Sequence, residues 1–208
     1  IHEYRLNQYI HDYSKPYIAL MDGMTMGGGV GISLHGSHPV ASDNFKFAMP
    51  ETGIGFFPDI GASYLLARCP DNFGIYLGLT GARINANAAL ALGLVKYVIK
   101  SSDFANILSN LLEVDLSFAA HIRVDHCLQT FSKPDLNANI TDIRQDVSNC
   151  FVANSVEDIL AKLQAGNEKW HMETLQNLQL KSPLSLKVTL QQIIFAKDKD
   201  LADCLAMD

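Results

Sequence analysis

Basic residues and long apolar runs are both scarce in this 208-residue sequence. It contains 16 Lys and Arg residues against 22 Asp and Glu residues, a formal net charge of −6, and no short stretch is densely basic. Because a phosphate backbone is bound by a clustered basic face, nucleic acid is excluded as an expected partner. The apolar segments are short, and Asp22 interrupts the one that begins at Tyr17, so no membrane-spanning segment is predicted.

Cysteine is also scarce, and its spacing gives no sign of a disulfide framework. The four cysteines are Cys69, Cys127, Cys150 and Cys204, without a C-x-x-C pair. A chain of this length can bury a substantial core without covalent or metal cross-links. We therefore interpret the cysteines as reduced thiols in a reducing compartment.

Glycine divides the sequence into two zones, although the length indicates one domain, with or without a compact appendage. Thirteen of the 14 glycines precede residue 100, and only Gly166 lies beyond it. In the first zone, a short apolar run predicts a strand at residues 16–21. Residues 38–42 and 45–48 are two further strand candidates, joined by the turn pair Asp43-Asn44. Helices are predicted at residues 30–35 and 60–68, with Asp59 as the N-cap of the second. This order of elements predicts an α/β fold.

The second zone, from residue 101 onward, has the apolar periodicity of helices. One helix is predicted from Phe104, behind a cap formed by Ser101 and Ser102. Another follows Ser155, an N-cap with Asp158 at the capping-box position. A third begins at Ser182-Pro183, with the proline in the first helical turn. The C-terminal half is therefore predicted to be helical.

A run of three glycines, residues 27–29, lies between a predicted strand and a predicted helix. Without Cβ atoms, backbone N–H groups there can approach a ligand, and the helix N-terminus adds positive potential that suits an oxyanion or a phosphate. The run lacks the Lys and Ser or Thr of a P-loop and the spacing of a dinucleotide-binding motif. A tight turn needed only for packing is the alternative, and the spacing leaves both open.

Two carboxylates, Glu51 and Asp59, flank an uncharged segment that contains two phenylalanines. The proline and glycines of residues 50–55 predict a loop without regular structure. Carboxyl groups in such surroundings tend to have raised pKa values and can act as base, acid or nucleophile. The alternative is that Asp59 only caps a helix and Glu51 is a solvated loop residue.

A further group of residue types that bind metals comprises His121, Asp125, His126 and Cys127. On a helix, histidines five residues apart point about 140° away from each other. Chelation favours a spacing of four residues, as in H-E-x-x-H. No metal site is therefore predicted here.

Three segments together carry a family resemblance. They are K-P-Y-I-A at residues 15–19, G-M-T-M-G-G-G-V-G at residues 23–31, and F-A-M-P-E-T-G-I-G-F-F-P-D at residues 47–59. These segments resemble the enoyl-CoA hydratase/isomerase (crotonase) superfamily, and within it the 3-hydroxyisobutyryl-CoA hydrolases most of all. The resemblance implies a crotonase-like spiral of ββα units. Residues 1–100 would be part of its acyl-CoA-binding core, and residues 101–208 an incomplete helical C-terminal region.

The resemblance also implies which residues carry the chemistry. The middle glycine of the run, Gly28, would supply one backbone N–H of an oxyanion hole. Glu51 and Asp59 would be the catalytic carboxylates, and Glu3 matches a substrate-contacting glutamate, so all four residues would contact an acyl-CoA. The implied reaction is hydrolysis of a short-chain thioester, 3-hydroxyisobutyryl-CoA, in valine breakdown. No metal and no cofactor are implied beyond the coenzyme A of the substrate.

The sequence departs from the hydratases of the superfamily at Gly31, where they carry a second catalytic glutamate. Adding water across a double bond by their route needs two carboxylates on one water, so Gly31 favours hydrolysis. Two alternatives stay open: an enoyl-CoA hydratase or isomerase with altered acid–base residues, and a non-catalytic acyl-CoA-binding or assembly subunit. Glu51 and Asp59 argue against the second alternative. The absence from this sequence of N- and C-terminal segments that the family usually has argues for it.

The sequence begins at Ile1 without an initiator Met or a signal peptide and ends at Asp208 in a predicted helix, which indicates a fragment. The resemblance places a second oxyanion N–H upstream of Ile1, so the activity of the isolated chain is left open. The compartment is the bacterial cytoplasm or, alternatively, the mitochondrial matrix. The acyl group, the role of Glu51 as nucleophile or base and the oligomeric state are also open, although the superfamily often forms homotrimers.

Overall fold

A computed structural model describes residues 2–134, 138–152 and 154–208. They form two compact units. The first contains the described residues of Ile1–Phe47 and Ile84–Asn139, and the second those of Ala48–Arg83 and Ile140–Asp208. This grouping rests on spatial contacts, and the division of the sequence at residue 100 stays a prediction.

The described elements alternate between short strands and helices up to residue 98 and are helical thereafter. The strands are β1 (Ile18–Met21), β2 (Met24–Thr25), β3 (His38–Ala41), β4 (Lys46–Phe47), β5 (Ile84–Asn85) and β6 (Tyr97–Val98). The helices are α1 (His2–His11), α2 (Gly28–Ser33), α3 (Ala62–Leu66), α4 (Phe73–Thr80), α5 (Ala86–Ala91), α6 (Phe104–Leu112), α7 (Ala120–Phe131), α8 (Arg144–Cys150), α9 (Val156–Ala165), α10 (Lys169–Gln179), α11 (Pro183–Phe195) and α12 (Leu201–Met207). The 3₁₀ helices are Glu51–Ile54, Pro70–Asn72, Ser101–Asp103 and Ala196–Asp198.

The strands of the first unit form two small sheets. One has the order β1-β3-β6 and is parallel, with Ile18 opposite His38 and Val40 opposite Tyr97. In the other, β4 pairs in parallel with β2 and antiparallel with β5. A parallel pair needs a crossover connection, and α2 lies in the one between β1 and β3.

The core of the first unit lies between its parallel sheet and two helices of the second zone. It consists of Val40, Tyr97, Ile99, Ile107, Val124 and Leu128. Val124 and Leu128 are four residues apart on α7 and therefore share one helix face, which is turned toward the sheet. The apolar faces that the periodicity predicted for these helices therefore pack against strands of the glycine-rich zone.

The second unit is built mainly of helices around α4. Every residue of α4 is buried, which explains why this helix is apolar on all sides instead of on one stripe. It packs against α3 and α11. The catalytic-loop candidate, residues 50–61, belongs to this unit and contacts α11 and α4 through its 3₁₀ helix.

Most of the predicted elements are confirmed. Strands β1, β3 and β4 lie inside the predicted ranges. The Ser155 hydroxyl accepts the Asp158 N–H at 3.1 Å, and the Ser182 hydroxyl accepts the Ser185 N–H at 3.4 Å, so both N-caps are formed as predicted. Helix α2 begins at Gly28, two residues before the predicted start, because the glycine run forms its first turn.

Three local predictions are wrong. Residues 50–55 contain the 3₁₀ helix Glu51–Ile54: Pro50 precedes its first turn, where no N–H is needed, and Gly55 ends it with φ 77°. Asp59 is not the N-cap of α3, because Ile60 and Gly61 follow it with positive φ and delay the helix to Ala62. The hydroxyls of Ser101 and Ser102 do not cap α6, which Asp103 precedes without a side-chain cap.

The four cysteines are free thiols, as their spacing predicted. Cys150 and Cys204 are buried, and Cys69 and Cys127 are half-buried. Burial raises the pKa of Cys69 to about 12, so this thiol does not ionise near neutral pH.

Candidate active site

Gly28 is the first residue of α2 and is exposed. The N–H groups of a first helical turn have no acceptor within the helix, and they carry the positive end of the helix dipole. Gly27 turns the chain into this helix with φ 50°, a conformation that glycine adopts readily. The geometry therefore leaves a backbone donor at Gly28 suited to an oxyanion.

Glu3 lies against Gly28 in the first unit. It stands in the first turn of α1, and its Oε1 lies 2.9 Å from the position that a Cβ on Gly28 would have. Any side chain at residue 28 would therefore displace the glutamate. The structure brings together these two residues, which the resemblance implied to be site residues.

Asn7 is a neighbour of this pair that the sequence analysis did not identify. It is fully buried, and a Cβ on Gly31 would lie 2.7 Å from both Nδ2 and Oδ1 of Asn7. Neither side-chain atom has a hydrogen-bond partner among the residues that the structure describes. The available signal was its spacing from Glu3, since residues four apart lie on one helix face.

Glu51 opens the 3₁₀ helix of the second unit, and only 8% of its surface is exposed. The neighbouring Thr52 hydroxyl donates to the Leu79 carbonyl at 3.0 Å and so fixes the loop to the helix α4. The Glu51 carbonyl accepts the Phe56 N–H at 3.0 Å. Among the described parts of the chain, Glu51 Oε2 has no hydrogen-bond partner. The glutamate is therefore not the solvated loop residue of the alternative interpretation.

The environment of Glu51 favours its neutral form. Burial raises its pKa to about 7, and the charge of Asp59 also contributes to the increase. A carboxyl group with this pKa is about half ionised at neutral pH, the condition in which it can both accept and return a proton. The raised pKa predicted for a carboxyl group of this segment is confirmed at Glu51.

Asp59 lies near Glu51 on the same loop and is half-buried. The residues after it form a tight turn, with φ 57° at Ile60 and φ 71° at Gly61. The structure thus groups Glu51 with Asp59 in the second unit and Glu3 with Gly28 in the first.

Asp208 is a second functional candidate that the sequence analysis did not identify. Its Oδ2 accepts the Gly61 N–H at 2.7 Å, directly after the Asp59 turn. The pKa of Asp208 is raised to about 6, mainly by burial and in smaller part by the charge of Asp59. No local pattern links residues this far apart in the sequence, so only the structure could reveal the contact.

Two further features concern binding. Across residues 2–134, 138–152 and 154–208, no three His, Cys, Asp or Glu residues are grouped so that they could hold a metal ion. In the same ranges, no helix has the length and apolar character needed to cross a membrane.

Comparison with known proteins gives a consistent set of similarities. The family described as "Enoyl-CoA hydratase/isomerase" matches residues 1–208. A Xenopus tropicalis protein named "3-hydroxyisobutyryl-CoA hydrolase, mitochondrial" is 36% identical over 209 residues, which cover 99% of this chain and 54% of that protein. "Small ribosomal subunit protein mS47" of Neurospora crassa is 37% identical, with coverage of 96% of this chain and 43% of that protein.

Among solved structures, a carnitinyl-CoA dehydratase from Mycobacterium thermoresistibile superposes with a TM-score of 0.87 at 34% identity. The match covers 98% of this chain and 58% of that one. The fold is therefore the one that the resemblance implied. The chain spans about half the length of the curated relatives it matches.

Proposed function

Because the chain belongs to the enoyl-CoA hydratase/isomerase family, we propose that the complete protein hydrolyses a short-chain acyl-CoA thioester, with 3-hydroxyisobutyryl-CoA as its substrate. The products are the free acid, 3-hydroxyisobutyrate, and coenzyme A. The observation that carries this proposal is the buried Glu51 carboxyl group, with a pKa of about 7 and a second carboxylate, Asp59, nearby.

The chemistry assigned to these residues is acyl transfer to water. The Gly28 N–H donates a hydrogen bond to the thioester carbonyl oxygen, which gains negative charge in the tetrahedral intermediate. One such donor stabilises the transition state by about 3 kcal/mol. Glu3, beside Gly28, contacts the substrate.

Glu51 acts on the carbonyl carbon in one of two ways. As a nucleophile, its carboxylate forms a mixed anhydride and expels coenzyme A, and water then cleaves the anhydride. As a general base, it takes a proton from a water that attacks directly, and coenzyme A leaves from the tetrahedral intermediate. Asp59 positions the water or adjusts the basicity of Glu51. Single turnover in ¹⁸O-water separates the routes, because only the anhydride route can place ¹⁸O in Glu51.

The surroundings of Gly31 support hydrolysis over hydration. A glutamate at this position is what the hydratase route requires, and the space beside Gly31 is filled by the buried Asn7 side chain. An acid–base pair of the hydratase kind therefore has no room at this position. Hydration of an enoyl-CoA is the alternative reaction that the experiment below measures in parallel.

A non-catalytic role is the second candidate, and the similarity to the mS47 ribosomal protein favours it. A chain that serves only as an assembly subunit has no need for a buried carboxyl group with a pKa near neutrality. The compartment we propose is mitochondrial, in line with the name of the Xenopus relative. Self-association stays a prediction.

The decisive experiment follows thiol release by the complete protein from 3-hydroxyisobutyryl-CoA, crotonyl-CoA and acetyl-CoA, with a thiol reagent. We expect release from the hydroxyacyl substrate, and a loss of at least about 100-fold in Glu51→Ala. Glu113→Gln is the matched control, because Glu113 is exposed at the end of α6. Loss of the crotonyl double bond without thiol release would show a hydratase, and no reaction with any thioester would favour the assembly subunit.

A further inference from the structure

The turn after Asp59 is a strained segment of backbone. Ile60 and Gly61 follow it with φ 57° and 71°, and only 2% of the Ile60 surface is exposed. A β-branched residue rarely adopts positive φ, and such conformations persist only when the surrounding structure imposes them. Something must therefore hold this turn, which sets the direction of the Asp59 side chain.

Asp208 makes the contact that can do so. Gly61 donates its N–H to Asp208 Oδ2 at 2.7 Å, while Gln192 Nε2 donates to Asp208 Oδ1 at 2.5 Å. Gln192 lies on α11 and is buried, with 7% of its surface exposed. Both carboxylate oxygens of Asp208 are thus engaged, one by the turn and one by the buried Gln192 side chain of α11.

The backbone of Asp208 is also hydrogen-bonded. Its N–H donates to the Cys204 carbonyl at 3.2 Å, which continues the hydrogen bonding of α12. On the other side of the turn, Ala62 donates its N–H to the Asp59 carbonyl at 2.9 Å. The turn is therefore pinned at Asp59 by the start of α3 and at Gly61 by Asp208.

The loop before the turn borders open space. A cavity of about 440 Å³ is lined by Phe57 of the loop, by Val188, Gln192 and Phe195 of α11, and by Met207 of α12. On this side the loop lacks the dense packing that would fix it unaided. Directed hydrogen bonds consequently contribute more to holding its conformation.

We propose that Asp208, oriented by Gln192, is a positioning residue that holds the Asp59–Gly61 turn and thereby aims the Asp59 carboxylate. This role rests on the function proposed above for Asp59. It concerns the arrangement of the loop and not substrate binding, so its loss lowers kcat and leaves KM nearly unchanged.

The test compares Asp208→Ala, Asp208→Asn and the control Asp203→Ala in the complete protein. Asp208→Ala removes the acceptor, whereas the asparagine oxygen can still accept the Gly61 N–H. We expect kcat to fall about 10- to 100-fold in Asp208→Ala and to be largely retained in Asp208→Asn, because small misplacements of a catalytic group have effects of this size. Asp203 is exposed on the same helix, and its replacement leaves kcat unchanged.

Two outcomes would overturn the role. One is an unchanged kcat in Asp208→Ala, even if the melting temperature falls. The other is an equal loss in Asp208→Asn, which would assign the effect to charge and not to the hydrogen bond. If Asp208→Ala does not fold, the test uses Gln192→Met instead. An unchanged kcat in that variant would also contradict the positioning role.

A second readout is independent of catalysis. Hydrogen exchange at the Gly61 amide, followed by mass spectrometry of the peptide that contains it, should accelerate at least about tenfold in Asp208→Ala, since the amide loses its acceptor. Unchanged exchange would contradict the positioning role whatever the enzyme does. If exchange is faster in Asp208→Ala but the wild-type protein releases no thiol, the contact would be supported and the proposed function contradicted.

Discussion

Asn7 fills the space into which any side chain at residue 31 would project. A Cβ on Gly31 would lie 2.7 Å from both polar atoms of the Asn7 amide, and Asn7 is fully buried. The glycine is therefore required by the packing of α1 against α2. Its presence is a structural reason why a second carboxylate is absent at the position where hydratases of the superfamily carry one.

The first prediction concerns this contact. Gly31→Ala should lower the free energy of unfolding by about 1–3 kcal/mol, because the added methyl group overpacks a filled site. Gly29→Ala is the matched control on the same helix: its Cβ meets nothing within 4 Å. It should be neutral or stabilise the protein by up to about 1 kcal/mol through helix propensity. Urea denaturation measures both. Equal stabilities for the two variants would contradict the close packing of Asn7.

The contact between Asn7 and Gly31 also predicts the result of an attempt to convert the protein into a hydratase. Gly31→Glu introduces the carboxylate of the hydratase pattern, but the buried Asn7 leaves no room for it in the orientation that the route requires. We expect the complete Gly31→Glu protein to show no hydration of crotonyl-CoA, followed by the absorbance of its double bond. Appearance of hydratase activity would show that Asn7 moves aside easily.

The raised pKa of Glu51 predicts the pH dependence of the proposed hydrolysis. Glu51 must be ionised to act as nucleophile or base, and its pKa in the folded protein is about 7. The value of kcat/KM should therefore rise with pH and level off above a midpoint near 7. Rates of thiol release between about pH 5.5 and 9 give the midpoint. A rate that does not change with pH over this range would contradict a catalytic Glu51 whose pKa is near 7.

Glu51 also predicts how stability changes with pH. Its pKa rises on folding from 4.5 to about 7, so the folded state binds the proton more tightly than the unfolded state does. The stability associated with the protonated form is complete below pH 4.5 and is lost as the pH rises through 7. Glu51→Gln cannot ionise, and it should exceed the wild type by up to about 3 kcal/mol at pH 8.

At pH 5 the free energies of unfolding of Glu51→Gln and the wild type should approach each other. Asp208 also has a raised pKa, but it is present in both proteins and its contribution cancels. Urea denaturation at pH 5 and pH 8 measures the difference. A constant difference between Glu51→Gln and the wild type at both pH values would mean that Glu51 is not buried as its 8% exposure indicates.

The sequence predicted those features whose causes are local. A short apolar run is sufficient to indicate the strand β1, and a hydroxyl three residues before an N–H donor is sufficient for the caps at Ser155 and Ser182. The raised pKa of Glu51 could also be anticipated, because the residues around it are uncharged in the sequence itself.

The features that were missed depend on contacts between distant residues or on unusual backbone conformations. Asp208 and Gly61 are joined by a hydrogen bond across 147 residues, which no spacing rule reveals. Asp59 has the residue type of an N-cap, but positive φ at Ile60, which isoleucine rarely adopts, moves the start of α3 beyond its reach. Asn7 reads as an ordinary helix residue until α2 is packed against it.

The last prediction separates a genuine N-cap from a false one. Ser155 accepts the Asp158 N–H at 3.1 Å, so Ser155→Ala leaves a donor of the first turn of α9 without its partner. This should lower the free energy of unfolding by about 1 kcal/mol. Ser102→Ala is the matched control, since this exposed serine carries the same signal in the sequence but does not cap α6, and its effect should stay within about 0.5 kcal/mol. Urea denaturation of both variants at one pH decides the matter, because equal losses would mean that the hydroxyl of Ser155 contributes no more than that of an uninvolved serine.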